Sequence, residues 1–138
     1  MTPHVCDLVC HDRFDLSAVD VALGALARGD VLGMYPEGTR SPGVLLPFLH
    51  GAAWVALRAG APLVPCSITG TERARDAKFP GRVRVRVRFH PPIEVVRIDD
   101  PHARRRQAEA LTAQLREAID AGLGSRLIVA ARRIQPSR

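Results

Sequence analysis

The stretch RVRVRVRF, residues 82–89, leaves the chain little choice of conformation. Apolar residues and arginines alternate without a break, so Val83, Val85, Val87 and Phe89 point one way along an extended chain and Arg82, Arg84, Arg86 and Arg88 the other. The pattern predicts a half-buried strand with its valines on a core and its arginines outside. The arginine row serves either as a solvated strand face or as an electrostatic footprint for anionic lipid or phosphate.

A strand needs a sheet, and the residues before it supply one. Ser17 followed by Asp20 resembles a capping box with Asp in place of Glu. Val19, Leu23 and Leu26 then recur at helical spacing up to Gly29, which predicts a helix over 17–28. VLGMY (31–35) is a short apolar run bounded by Asp30 and Pro36, as expected of a buried strand. GAAWVALRAG (51–60) reads as a short helix closed by Gly60, and PLVPCSI, beginning at Pro62, as a further strand running to Gly70. Ala108, Leu111, Leu115, Ala118 and Ile119 form a helical stripe within 103–121, followed by the basic tail RLIVAARRIQPSR. Alternating helices and strands predict an α/β fold, a mixed sheet with crossover helices.

The 138 residues suit one domain, and 46% hydrophobic with 25% charged residues suit a folded one. Twenty basic residues against 14 acidic give +6, and every basic residue but Lys78 is arginine. Such a surface favours phosphorylated ligands, nucleic acid or an anionic membrane face. Only 4% of residues are aromatic, which leaves little material for base stacking and argues against nucleic acid. No apolar run approaches the ~20 residues that span a bilayer, and MTPHVCDLVCHD carries acids and histidines where a signal peptide would be basic and then apolar. Three cysteines without an export signal point to reduced thiols. The expected location is the cytoplasm, with room for peripheral contact on the cytoplasmic membrane face. Cys66, in an apolar run, is a core residue.

Chemistry concentrates in YPEGTRSPG (35–43), where the strand over 31–35 ends. Loops leaving the carboxyl ends of strands open onto the crevice in which α/β sheets hold ligands. Arg40 offers a planar fork for a phosphate and Thr39 a hydroxyl. Gly38 admits close backbone approach, and Glu37 can hold the guanidinium or a ligand hydroxyl. A tight turn with a surface ion pair would use the same residues.

YPEGTRSPG followed by LPFLHGAAWVALRAGAPLVPCSITGT closely resembles the glycerolipid acyltransferases, the family of 1-acylglycerol-3-phosphate O-acyltransferase. The family's FPEGTRS block, its F-x-x-G helix start (Phe48 to Gly51) and its VPV-type strand block occur in order over a match of about residues 13–120. The resemblance implies a glycerol-3-phosphate acyltransferase-like fold and transfer of a fatty acyl group from acyl-CoA or acyl carrier protein to lysophosphatidate, with no further cofactor. It implies Arg13 and Arg40 as phosphate ligands, Glu37, Gly38 and Thr39 as shaping the glycerol-phosphate site, and Pro65 as part of the acyl-donor region.

The family's chemistry rests on a histidine with an aspartate five positions on, the imidazole acting as base on the acceptor hydroxyl. His4, His11, His50, His90 and His102 lead instead to Val9, Leu16, Val55, Val95 and Gln107, so no catalytic residue is assigned. The resemblance therefore implies an N-terminally truncated domain: an unassigned segment at 1–12, a partial acyltransferase domain at 13–122 and a basic tail at 123–138. Such a domain would expose an apolar sheet edge and tend to associate. Leu49-His50 also stands where relatives often carry a lysine. His11 or His50 could replace the missing base only by lying near the EGTR loop with an orienting partner. His4, Cys6, Cys10 and His11 are metal-type ligands, but their spacing matches no standard zinc pattern, and no metal is assigned. The alternative to an enzyme is a non-catalytic module that binds an anionic phospholipid or phosphorylated ligand through Arg13, Arg40 and the arginine strand.

Overall fold

The computed structural model describes residues 5–7, 16–38, 46–70, 84–120 and 125–130. Among the described residues, three helices form where apolar spacing is helical: α1 (Leu16–Arg28), α2 (Gly51–Ala59) and α3 (Pro101–Asp120). Each stop or start has a local cause. Gly29 and Gly60 end α1 and α2, while Pro101 opens α3, where a missing N–H costs nothing. Asp100 caps α3 by accepting a bond from the Ala103 N–H at 2.6 Å.

Five strands among the described residues lie in one sheet: β1 (Val5–Asp7), β2 (Val31–Met34), β3 (Leu63–Thr69), β4 (Arg86–Phe89) and β5 (Ser125–Ala130). Their order is β1-β2-β5-β3-β4. The β1/β2 pair is parallel, joined through α1, and the other three pairs are antiparallel. The mixed α/β architecture is thus present. The segment read as a basic tail contributes β5, which lies between β2 and β3 rather than at the margin.

Leu32 and Leu63 both pair with Ala130 across β5, which puts them on the same face of the sheet. Both are fully buried and share one cluster with Ala22 and Leu26 of α1, Ala53 and Ala56 of α2, and Leu111, Leu115 and Ile119 of α3. The helices therefore gather on the Leu32/Leu63 face. Small residues along α2 let it sit close against its neighbours, α1 and α3. Buried Arg104 ties α3 to the chain before it, its Nε donating to the Ile98 carbonyl at 2.9 Å. Its guanidinium lies 5.2 Å from the centre of the Trp54 ring, and Arg58 lies on the same ring at 5.3 Å.

The alternating strand requires a correction. β4 runs along β3 with Val87 opposite Ile68 and Phe89 opposite Cys66, so the apolar row shares the face of Cys66 and Ile68, turned away from the helices. Val85, Val87 and Phe89 are 46%, 52% and 66% exposed, so the expected half-buried strand is open on both rows. The physical reason is position: β4 ends the strand order, and although Cys66 on the same face of β3 is fully buried, that burial does not extend to β4.

Candidate functional site

β2 ends at Met34 and the chain turns at once. The Gly38 N–H donates to the Tyr35 carbonyl at 3.1 Å, and Gly38 takes φ 62, a left-handed value that suits glycine. A Cβ at this position would stand 2.5 Å from Leu49 Cδ1, so the returning chain lies directly on the glycine.

Two hydrogen bonds pin the base of the loop. The Leu49 N–H donates to the Pro36 carbonyl at 2.8 Å, and the Leu46 N–H donates to Glu37 Oε2 at 3.0 Å. Pro36 is buried, and Phe48 anchors the return in the core. Sequence reasoning gave Glu37 a guanidinium or a ligand hydroxyl as partner. The partner seen is a backbone N–H nine residues on, so this carboxylate holds the two arms of the loop together. Thr39 and Arg40 lie between those arms in the chain; both, like Arg13, His4 and His11, fall outside the described residues. Tyr35 (59% exposed) and Leu49 (51% exposed) add apolar surface beside the Gly38 turn.

His50 follows Leu49 directly and opens α2 as its N-cap residue, without capping it through its side chain. The ring turns instead to α3, where Nδ1 lies 3.0 Å from Thr112 Oγ1. The Thr112 hydroxyl donates its single proton to the Ala108 carbonyl at 2.6 Å, so toward His50 it can only accept. Nδ1 therefore carries a proton, and in the neutral ring Nε2 is left as the acceptor. Replacing Thr112 with valine is expected to remove this bias: ¹⁵N spectra of the ring should show the Nδ1–H form dominant in the parent and a mixture of tautomers in the variant. An unchanged spectrum would sink the assignment.

The histidine and threonine are 62 residues apart and joined only by the packing of α2 on α3, so no local pattern announces them. The same holds for buried Ser67, whose Oγ lies 2.7 Å from His90 Nε2. Both pairs were missed by sequence reasoning.

Pro65 is fully buried within β3. Its carbonyl accepts from the His90 N–H at 2.8 Å, which shows that its backbone polar groups face the β4 side. Opposite it the strand is irregular. Cys66 pairs with Phe89 but Leu63 with Ile93, so the partner chain carries one extra residue there, and Pro91 and Pro92 fall in the gap. The missing N–H of Pro65 therefore costs no bond to β5. With no exposed surface of its own, Pro65 can serve a donor site only through the strand it shapes. Burial pushes the neighbouring Cys66 thiol upward from its ordinary pKa, which keeps it protonated and a poor nucleophile.

Comparison with known proteins covers the same part of the chain. The family model for acyltransferases matches residues 5–69, from β1 through the pinned loop to the end of β3. A 1-acyl-sn-glycerol-3-phosphate acyltransferase of Limnanthes alba is 45% identical over 75 residues, covering 49% of this chain and 27% of the relative. The protein of that name from Escherichia coli strain K12 is 41% identical over 63 residues, 45% of this chain and 26% of its own length. One from Cocos nucifera is 38% identical over 99 residues, 63% of this chain and 32% of its own. The chain thus spans between about a quarter and a third of the length of these curated relatives. No solved structure matches it significantly. Over residues 5–69 the chain is similar to the acyltransferase family.

Proposed function

We propose that this chain takes part in moving a fatty acyl group from a thioester of coenzyme A or acyl carrier protein to the free hydroxyl of lysophosphatidate, a step of phospholipid synthesis. The observation that carries the reading is the pinned loop at the end of β2, with Glu37 and Gly38 fixed at its base immediately before Thr39 and Arg40. A turn fixed at its base that leads in the chain to a hydroxyl and a guanidinium suits a phosphate monoester. The exposed Tyr35 and Leu49 beside it suit the apolar part of an amphiphile better than they suit a small phosphorylated metabolite. In this reading Arg13 and Arg40 hold the phosphate, Glu37, Gly38 and Thr39 shape its surroundings, and β3 around Pro65 borders the donor.

The step itself is an exchange at one carbonyl. The acceptor oxygen bonds to the acyl carbon, its proton passes to a base, and the thiolate leaves. None of the five histidines is followed by an aspartate at the family spacing, and this favours a second reading, a module that binds the phospholipid without turning it over. His50 is the described imidazole nearest the loop in the chain, and Thr112 orients it. Both readings place the chain in the cytoplasm, touching an anionic membrane from the side.

The test is release of free coenzyme A from an acyl-CoA by the purified protein, with and without lysophosphatidate. Acceptor-dependent release that falls by at least about 30-fold in Arg40→Ala supports transfer, since removing one partner of a charged pair costs about 2 kcal/mol or more. A parallel loss in His50→Gln would name the base. Binding of lysophosphatidate that depends on Arg40 without release supports the module. Neither binding nor release would overturn both readings.

A further inference from the structure

β4 lies at one end of the strand order, so among the described residues one of its edges is unpaired. Two rows of side chains diverge from that edge. Val85, Val87 and Phe89 form the apolar row, about half to two-thirds exposed, on the face turned away from the helices. Arg84, Arg86 and Arg88 form the other row, all exposed, and among the described residues none has an ion-pair partner.

Open apolar residues beside unpaired cations are unusual on a surface that serves solubility alone, where charges are interspersed with both signs. A second copy of the chain is a poor occupant, because pairing β4 with itself would set arginine against arginine across the new ladder. An anionic bilayer meets both rows. Valine and phenylalanine can enter the boundary between headgroups and acyl chains, while the long arginine stems bend around the free edge to lipid phosphates. The net charge of +6 attracts such a surface from a distance.

We infer that β4 is a membrane-docking edge, in which Val85, Val87 and Phe89 enter the interface of a bilayer whose anionic lipids are held by Arg84, Arg86 and Arg88. This deepens the membrane contact named above and rests on that reading for the lipid setting alone. It requires neither turnover nor a lysophosphatidate site.

Sedimentation with extruded vesicles tests it, in the absence of lysophosphatidate and acyl-CoA. The protein should bind phosphatidylcholine vesicles containing phosphatidylglycerol, ignore phosphatidylcholine alone, and come off at high salt. Because each arginine near an anionic surface adds several-fold to binding, the triple variant R84Q/R86Q/R88Q should bind at least about tenfold more weakly. V87S/F89S should weaken binding at low salt as well, which a purely electrostatic contact would not show. Every substituted side chain is exposed, and melting followed by circular dichroism checks that both variants fold. Absence of binding to anionic vesicles overturns the inference, as does binding that neither variant weakens. If short DNA duplexes bind more tightly than vesicles and depend on the same arginines, the edge reads nucleic acid instead. Coenzyme A release is measured separately, so a failed docking edge and a failed transfer reading are told apart.

Discussion

Leu115→Ala should lower the stability of the chain by about 2–5 kcal/mol, the range found for truncating a leucine in a closed core. Leu115 is 1% exposed and belongs to the cluster that joins α3 to α1, α2 and the Leu32/Leu63 face of the sheet. That cluster draws on three helices and on β2 and β3, so a shift of one element is not expected to refill the space. Urea unfolding followed by the fluorescence of Trp54, the chain's only tryptophan, reads the change directly. A loss under about 1 kcal/mol would show a core looser than its burial indicates.

The second large effect lies in the backbone. Gly70 ends β3 at φ 93, and a Cβ there would run into the Arg84 carbonyl oxygen and crowd Val85 Cα. Gly70→Ala should therefore cost about 2–4 kcal/mol, from a backbone conformation unsuited to side chains together with a contact that main chain must move to relieve. The displacement would fall on the residues leading into β4. A variant as stable as the parent in urea would exclude this close approach. Because β4 is the proposed docking edge, weaker vesicle binding should accompany the stability loss even though no lipid-facing residue is changed.

The parts of the fold that could be read in the sequence are those that depend on neighbours along the chain. α1, expected over 17–28, spans Leu16–Arg28, and the 51–60 and 103–121 helices appear as Gly51–Ala59 and Pro101–Asp120. Apolar spacing sets their faces, and glycine and proline punctuate them. β2 and β3 were legible for the same reason. β5 was not, because LIVA between arginines looks like a tail until β2 and β3 offer edges on both sides, and pairing over such distances leaves no local mark. The alternation in 82–89 fixed the strand and the two rows of β4 but could not say whether anything covers the apolar one. In the site, the glycine turn and the loop at a strand end were readable. The Glu37 bond to Leu46 and the Thr112 hold on His50 depend on how the chain returns, and the return is set by tertiary packing.

The position of β5 also dictates an order of assembly. A ribosome delivers Val31–Met34 and Leu63–Thr69 long before Ser125–Ala130, yet these two earlier strands touch the last one and not each other. Until Ser125–Ala130 emerges, the nascent chain can hold β1 with β2 and β3 with β4, as two small ribbons with a vacant slot between them. Closing the slot is a late event with contacts of long sequence separation, the kind that slows folding and exposes unpaired edges meanwhile. The three described helices, complete by Asp120, can bring the two ribbons side by side first, so that β5 enters a site already shaped to receive it.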